Sequence, residues 1–261
     1  MKYGISLIAT IPVRKDPAES SEMETQILFG ETFEILEEKP RWFCVRIDYD
    51  GHEGWIDWKM ATLISDDLHL KCKKSFVLTS DPFCLLNGPR GPFYVSLGSS
   101  LPLFDSKRNI LEIDDRCFEV KGNIWIPPTE IRREEMVNLA CSFLGAPYLW
   151  GGKCIMGIDC SGFTQVVYKA FGIVLLRNAF QQATQGNVIA NLEETLPGDL
   201  AFFEKNGKIT HVGIVLKDNQ IIHSSGCVRI DQIDSKGIFN VDRNEYSHQL
   251  FGFRRILDDA K

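Results

Sequence analysis

The 261-residue sequence predicts an α+β fold, with small β domains at the N-terminus and a mixed domain of helices and strands at the C-terminus. Residues 1 to about 126 contain short alternating runs interrupted by Gly, Pro, Asp and Asn, which is the pattern of short strands in small barrels. From residue 128 the apolar residues recur at helical spacing, and strand-like runs return near residue 198. A further break near residue 66 divides the β part, so the predicted domains are 1–66, 67–127 and 128–261.

Turn signals support the strands of the β part. The stretch "YDGHEG" predicts a hairpin, because Asp-Gly readily adopts the positive φ values of a tight turn. The stretches "GHEGWID" near residue 55 and "KGNIWIPP" near residue 125 mark two β units. Pro127 and Pro128 then form a stiff junction before the third domain.

Two helices are predicted in the third domain. Thr129 is the expected N-cap of the first, and Gly145 is expected to end it. The second follows the N-cap Asp159, shows an apolar i, i+3, i+4, i+7 pattern from Phe163, and ends before Gly172.

Composition excludes some functions. The net charge is −6 and the basic residues are dispersed, so nucleic acid is not expected as a partner. No apolar run reaches the roughly 18–20 residues of a membrane span. The N-terminus shows no secretory signal, which predicts a cytoplasmic protein. The alternative is a periplasmic protein whose signal peptide is missing from this sequence, because its N-terminus would look the same. The eight cysteines, several in strand-like runs such as "WFCVRI", are expected to be core thiols rather than a disulfide framework.

Cys160 lies at the start of the second helix, just before its apolar pattern. At the positive end of the helix dipole a thiol is expected to have a lowered pKa and to act as a nucleophile. Its own N–H, or that of the next residue, could also face an oxyanion. The alternative from position alone is a small residue in a turn.

Two histidines on neighbouring strands could supply the base that a thiol nucleophile needs. His211 and His223 lie in runs of β-branched residues, whereas His52 and His248 have no comparable setting. Both side chains must lie on one face of the sheet, which requires an odd loop or a bulge between the strands. We predict a three-residue loop at 217–219, with Gly213 opposite His223.

A metal site is the competing chemistry for these residues. Cys154, Cys160, His211 and His223 could offer four ligands, but their spacing is not one that zinc sites use. We therefore predict no metal and no other cofactor.

The C-terminal half resembles the NlpC/P60 family of cell-wall cysteine peptidases over about residues 130–258. The resemblance rests on "PYLWGGKCIMGIDCSGFTQVVYKAFG" followed by "LPGDLAFFEKNGKITHVGIVLKDNQIIHSSG". It implies a papain-like domain in which Cys160 is the nucleophile, His211 the base and His223 its orienting residue. It also implies that Tyr148 helps to form the oxyanion hole, and it gives Cys154 no catalytic role.

The two β units resemble bacterial SH3-like domains, so the full prediction is a papain-like α+β domain preceded by two small SH3-like β-barrels. The first unit is similar to that of γ-D-glutamyl-L-diamino-acid endopeptidases, which cleave peptidoglycan stem peptides that have a free N-terminal L-alanine. In that subfamily the first SH3-like domain walls off the end of the substrate, and one of its acidic residues binds the amine. The resemblance implies these substrate-binding candidates: Asp159, Ser161, Trp150, Arg177, Asn178, Glu22 (with Glu24 as its alternative) and Trp58.

Two of these candidates have alternatives. Asn178 stands where the subfamily has an amine-binding aspartate, and an amide forms a weaker bond with an ammonium group. Arg177 could bind a substrate carboxylate or form a structural ion pair. The expected activity is hydrolysis of the γ-D-Glu to L-diamino-acid bond in soluble muropeptides by a monomer. The alternatives are amide or acyl transfer with the same Cys-His pair, and a non-catalytic cell-wall-binding protein.

Overall fold

The computed structural model describes residues 2–74 and 77–257. The chain divides into two compact units, one of Met1–Pro127 with Trp150–Ile155 and one of Pro128–Leu149 with Met156–Lys261. All eight cysteines lie in the described ranges, and none of them forms a disulfide there. None of the described helices is both long enough and apolar enough to cross a membrane.

The first unit begins with an antiparallel sheet of seven strands in the order β3-β2-β6-β5-β4-β1-β7. Isoleucine and valine side chains on alternate positions, together with Phe33, form its apolar cluster. Asp50 and Gly51 lie in the predicted β5–β6 hairpin, where Gly51 has a φ of 73°. The strands are β1 (Tyr3–Ile5), β2 (Thr10–Arg14), β3 (Met23–Leu28), β4 (Thr32–Lys39), β5 (Trp42–Ile47), β6 (Glu53–Asp57) and β7 (Thr62–Ile64).

A helix, α1 (Asp66–Cys72), separates this sheet from the next strands, and the Ser65 hydroxyl caps it by accepting from the Leu68 N–H. The following strands form a four-stranded sheet, β10-β9-β12-β11, and a β8–β13 pair. Ile64 and Leu86 belong to one hydrophobic cluster, so the two predicted β domains share a core. The strands are β8 (Leu78–Thr79), β9 (Phe83–Gly88), β10 (Gly91–Ser96), β11 (Ile110–Ile113), β12 (Arg116–Lys121) and β13 (Ile124–Trp125).

The segment Trp150–Ile155 also belongs to the first unit and includes β14 (Lys153–Cys154). The Lys153 N–H donates to the Gln26 side chain at 2.8 Å, and the Lys153 ammonium is fully buried 3.5 Å from a carboxylate oxygen of Glu31. At Gly151, φ is 76° and a Cβ atom would lie 2.5 Å from the Met23 carbonyl oxygen, so glycine permits this close approach.

The helices of the second unit are α2 (Arg133–Cys141), α3 (Cys160–Ala170) and the short α4 (Ala179–Gln182). The prediction of Thr129 as the first N-cap is wrong, because Arg132 occupies that position in an extended conformation. Two glutamates in the first turn, Glu134 and Glu135, suit the positive end of the helix dipole in the absence of a side-chain cap. Gly172 follows α3 with a φ of 74°, as predicted.

The strands after α4 close into a barrel. The sheet order is β16-β22-β17-β18-β19-β20-β21, and β22 pairs with β21 as well as with β17, so six of the strands form a ring. Apolar side chains such as Phe203, Val215 and Ile221 cluster on one face of these strands. The strands of this unit are β15 (Gly157–Ile158), β16 (Asn187–Ile189), β17 (Leu200–Lys205), β18 (Lys208–Val215), β19 (Gln220–Ser225), β20 (Cys227–Ile233), β21 (Gly237–Asn240) and β22 (Glu245–Arg255).

The predicted register between β18 and β19 is confirmed. Gly213 lies opposite His223, and the Leu216 N–H donates to the Gln220 carbonyl at 2.8 Å across a three-residue loop. Asp218 and Asn219 both adopt the left-handed conformation, with φ values of 56° and 53°. This conformation suits Asn and Asp better than other non-glycine residues.

Candidate active site

Cys160 is the first residue of α3, as predicted. Asp159 caps the helix by accepting a 2.6 Å hydrogen bond from the Gly162 N–H. Backbone N–H groups of Val212, on β18, and of Ser161 bond to the sulfur. Because Val212 directly follows His211, these bonds place the thiol against the strand that contains the expected base.

The prediction of a lowered thiol pKa is wrong for the free protein. Burial raises the pKa of Cys160 to about 12, and the charge of Asp159 adds to the rise. The two amide N–H groups and the Arg177 charge oppose this rise but do not outweigh it. The thiol therefore keeps its proton until a base removes it.

His211 and His223 form a hydrogen-bonded pair on the interior face of the barrel. His211 Nε2 lies 2.7 Å from His223 Nδ1, and both side chains are at least 95% buried. Burial holds the pKa of His211 well below its usual value, and the neighbouring His223 and His248 lower it further. His211 is therefore a neutral imidazole, the state that a general base requires.

Asp231 extends this pair and was missed by the sequence analysis. Its Oδ2 lies 3.0 Å from His223 Nε2, and its Oδ1 accepts a 2.8 Å bond from Arg229. Burial alone would raise the pKa of Asp231, but the hydrogen bonds from His223 and Arg229 outweigh it and hold the pKa below its usual value. Asp231 is therefore an ionised carboxylate bonded to the second histidine.

His248 was wrongly set aside on sequence. Its ring stacks on His211 with centroids 4.1 Å apart and an interplanar angle of 24°, and its Nδ1 is 2.9 Å from the Ser247 hydroxyl. Burial lowers the pKa of His248 to about 4, and the nearby His223 contributes to the shift. It is therefore a neutral ring that covers one face of the base.

Three imidazoles form the group among the described residues that could hold a metal ion. One ring nitrogen from each of His211, His223 and His248 lies within 4.8 Å of the others. This set differs from the cysteine-containing set considered on sequence. Both nitrogens of His223 are already engaged, one with His211 and one with Asp231. Metal ligation would compete with these bonds, so we assign the cluster to proton transfer.

Tyr148 lines a pocket of about 290 Å³ in the second unit, together with Thr210, His211, Ser224, Ser225, Gly226 and His248. Burial raises the pKa of Tyr148, and the nearby Cys160 and Asp159 raise it further. The phenol therefore stays protonated and can donate a hydrogen bond to an oxyanion. The role of Tyr148 in the oxyanion hole stays a prediction.

Arg177, Asp159 and Ser161 form a buried ion-pair group. Arg177 donates to the two carboxylate oxygens of Asp159 at 3.1 and 2.6 Å, and to the Ser161 hydroxyl at 2.8 Å. Arg177 is only 2% exposed. The structural alternative for Arg177 is thus observed, and the roles of Arg177, Asp159 and Ser161 in substrate binding stay predictions.

The remaining substrate-binding candidates fall in both units. Asn178 is half-buried in the second unit, where it bonds to Gln181 at the start of α4. Trp150, Trp58 and Glu22 are exposed residues of the first unit. Their roles in binding stay predictions.

Comparison with known proteins identifies the family. The NlpC/P60 family model matches residues 145–248, and a model described as a bacterial dipeptidyl-peptidase Sh3 domain matches residues 13–59. A γ-D-glutamyl-L-lysine dipeptidyl-peptidase of Bacillus subtilis is 30% identical over 253 residues, which cover 91% of this chain and 82% of that protein. The chain belongs to the NlpC/P60 family. Within this family, a Bacillus cereus protein of the same name is 28% identical over 91% of this chain and 76% of its own length.

Solved structures of NlpC/P60 proteins show the same fold. A Bacillus cereus family member has a TM-score of 0.81 at 23% identity and is covered completely, with 98% of this chain aligned. An NlpC/P60 endopeptidase from Photobacterium damselae has a TM-score of 0.73 at 15% identity, over 96% of this chain and 72% of that one. The predictions of a cysteine peptidase and of a papain-like domain with SH3-like β structure are confirmed.

Proposed function

We propose that the chain hydrolyses the bond between γ-D-glutamate and an L-diamino acid in soluble peptidoglycan stem peptides. The observation that supports this most directly is the placement of Cys160 at a helix start, where its sulfur accepts a bond from the amide of Val212, the residue that directly follows the neutral base His211. The two Bacillus relatives named for γ-D-glutamyl-L-lysine substrates support the choice of bond.

The proposed reaction begins with proton transfer from the Cys160 thiol to His211. The sulfur then attacks the γ-carbonyl carbon of D-glutamate, and the Tyr148 phenol donates a hydrogen bond to the oxygen that becomes negative. When the C–N bond breaks, His211 returns its proton to the leaving amine. Water, deprotonated by His211, hydrolyses the thioester and restores the thiol.

Recognition of a free N-terminal amine is assigned to Glu24 rather than to Glu22. Gly151, the neighbour of the candidate Trp150, packs against the backbone of Met23 and Glu24 within the first unit. The Glu24 carboxylate is partly exposed and lies 3.7 Å from the imidazole of His52, whereas Glu22 is exposed. A partly desolvated carboxylate interacts more strongly with an ammonium group than one in open solvent does.

Mass-spectrometric cleavage mapping of L-Ala-γ-D-Glu-L-Lys and its diaminopimelate analogue, each with a free or acetylated N-terminus, tests the proposal. We expect cleavage after D-glutamate and a preference for the free amine. Glu24→Gln should raise KM for the free substrate about tenfold or more, because a hydrogen bond between charged groups contributes about 1.5–3 kcal/mol. Glu22→Gln makes the same chemical change at an exposed site and should leave KM unchanged.

Each outcome of this experiment tests a different part of the proposal. Absence of cleavage at this bond in both peptides would refute the proposed activity, and equal turnover of acetylated substrate would refute recognition of the amine. Deletion of residues 1–66 is a poorer test, because it would remove Gln26 and Glu31 and leave the buried Lys153 ammonium without its ion-pair partner.

A further inference from the structure

Asp231 is a buried charged group that the proposed reaction does not yet use. It lies on β20 two residues beyond Arg229, which directly opposes His223 on β19. Side chains two residues apart on a strand share a face, so the carboxylate reaches the histidine diagonally. The Asp231 side chain is only 2% exposed, and the 3.0 Å contact with His223 Nε2 is therefore shielded from water.

The direction of each hydrogen bond in this group follows from the chemistry of its members. An ionised carboxylate can only accept, so His223 must present an N–H at Nε2 to Asp231. A neutral His211, in contrast, has a single N–H, which can be on either ring nitrogen. If His211 takes the Cys160 proton at Nδ1, its N–H is on Nε2 and donates across the 2.7 Å contact, so His223 accepts at Nδ1 and donates to Asp231 at Nε2.

We propose that Asp231 is a positioning residue for the peptidase reaction, because its carboxylate fixes the tautomers of His223 and His211 and leaves His211 Nδ1 to accept the Cys160 proton. Once that proton is transferred, the histidine pair has one positive charge in a buried site. The Asp231 carboxylate compensates this charge, with the His223 ring between it and His211. The inference rests on the thiol peptidase reaction but not on the identity of its substrate.

A second pair of contacts holds the carboxylate in place. Arg229 donates one 2.8 Å hydrogen bond to Asp231 Oδ1 and another to Asp242 Oδ2. The side chain of Asp242 is 74% exposed, and that of Arg229 is 27% exposed. Asp242 therefore shares the arginine but does not contact the histidines, which makes it a matched control.

Side-chain ¹⁵N NMR of the full chain labelled at its five histidines tests the proposal directly. Signals of His211 and His223 are assigned from their loss in the His211→Ala and His223→Ala variants. In the wild-type protein at neutral pH, we expect the rings of His211 and His223 to be protonated at Nε2 and unprotonated at Nδ1. Protonation of His211 at Nδ1 would overturn the proposal, and this measurement needs neither substrate nor an Asp231 variant.

The variants Asp231→Asn and Asp242→Asn then separate positioning from general electrostatics. Asp231→Asn can donate to His223 and reverse the tautomers, so kcat should fall by about 100-fold or more, the lower end of what a general base contributes. KM should change little, because Asp231 does not contact the pocket. Asp242→Asn should keep both the tautomers and kcat. A folded Asp231→Asn variant with wild-type tautomers and kcat would refute the role.

Discussion

Replacing Arg177 with methionine should lower the free energy of unfolding of the second unit by about 3–5 kcal/mol. That is the usual cost of breaking a buried ion pair by removing one partner, because the other charge stays buried. Arg177 makes hydrogen bonds of 3.1 and 2.6 Å to Asp159, and the two side chains are only 1% and 8% exposed. Solvent screening, which weakens surface pairs, is therefore small here.

The matched control is Arg46→Met in the first unit. Arg46 pairs with Glu53 at 2.6 Å, but both side chains are about half exposed, so solvent screens the pair and its loss should lower stability far less than the loss of Arg177 does. Denaturant unfolding followed by two probes distinguishes the units. All five tryptophans belong to the first unit, so their fluorescence reports that unit, whereas far-UV circular dichroism reports both.

Substrate binding by Arg177 predicts a different result. If Arg177→Met unfolds at the wild-type denaturant midpoint and instead raises KM, the arginine binds the substrate and the ion-pair argument fails. Arg177→Lys keeps the charge but cannot donate from a planar fork to both carboxylate oxygens, so its stability should fall between those of the wild type and Arg177→Met.

The other predictions concern catalysis. Cys160→Ser and His211→Ala should each abolish hydrolysis without loss of the circular dichroism spectrum, and near wild-type turnover in Cys160→Ser would show that another residue is the nucleophile. Cys154→Ala should retain activity, because this cysteine matches no catalytic position of the family; substantial loss in a folded variant would contradict its structural role. His248→Ala should move the acid limb of kcat/KM to higher pH. Burial and the neighbouring His223 and His248 lower the pKa of His211. Removing the His248 ring admits water and raises that pKa, so the base becomes protonated at a higher pH than in the wild type. An unchanged pH profile would contradict this reasoning.

Local sequence patterns predicted the parts of the site that depend on strands consecutive along the chain. The loop at 217–219 fixes which residues of β18 and β19 face each other, so the pairing of His211 with His223 followed from counting along the chain. The same count across the tight turn at Gly226 would have placed Asp231 on the face of His223, since Ser225 pairs with Cys227. The position of Asp231 was therefore predictable from the sequence.

The position of His248 could not be predicted by the same counting along consecutive strands. It lies on β22, which is separated from β18 by β17, and the two ladders that connect them have register shifts at Phe202/Phe203 and Phe203/Glu204. Each irregularity in a ladder changes which side chains share a face, and nothing local in the sequence reports it. Closure of the barrel through β21 and β22 then fixes where the ring lies. Its stack on His211 is a tertiary result.

Burial also explains why the thiol pKa was mispredicted, and it indicates how the enzyme protects its nucleophile. The helix dipole is a local property and favours the thiolate, but the 7% exposure of Cys160 depends on how α3 packs in the second unit. The same burial that raises the pKa of the thiol lowers that of His211, so the resting pair is neutral. Because the thiolate is the form that oxidants and alkylating agents attack, a protonated and covered thiol resists them. When the thiol proton moves to His211, the ionised Asp231 behind His223 stabilises the positive charge of the histidine pair.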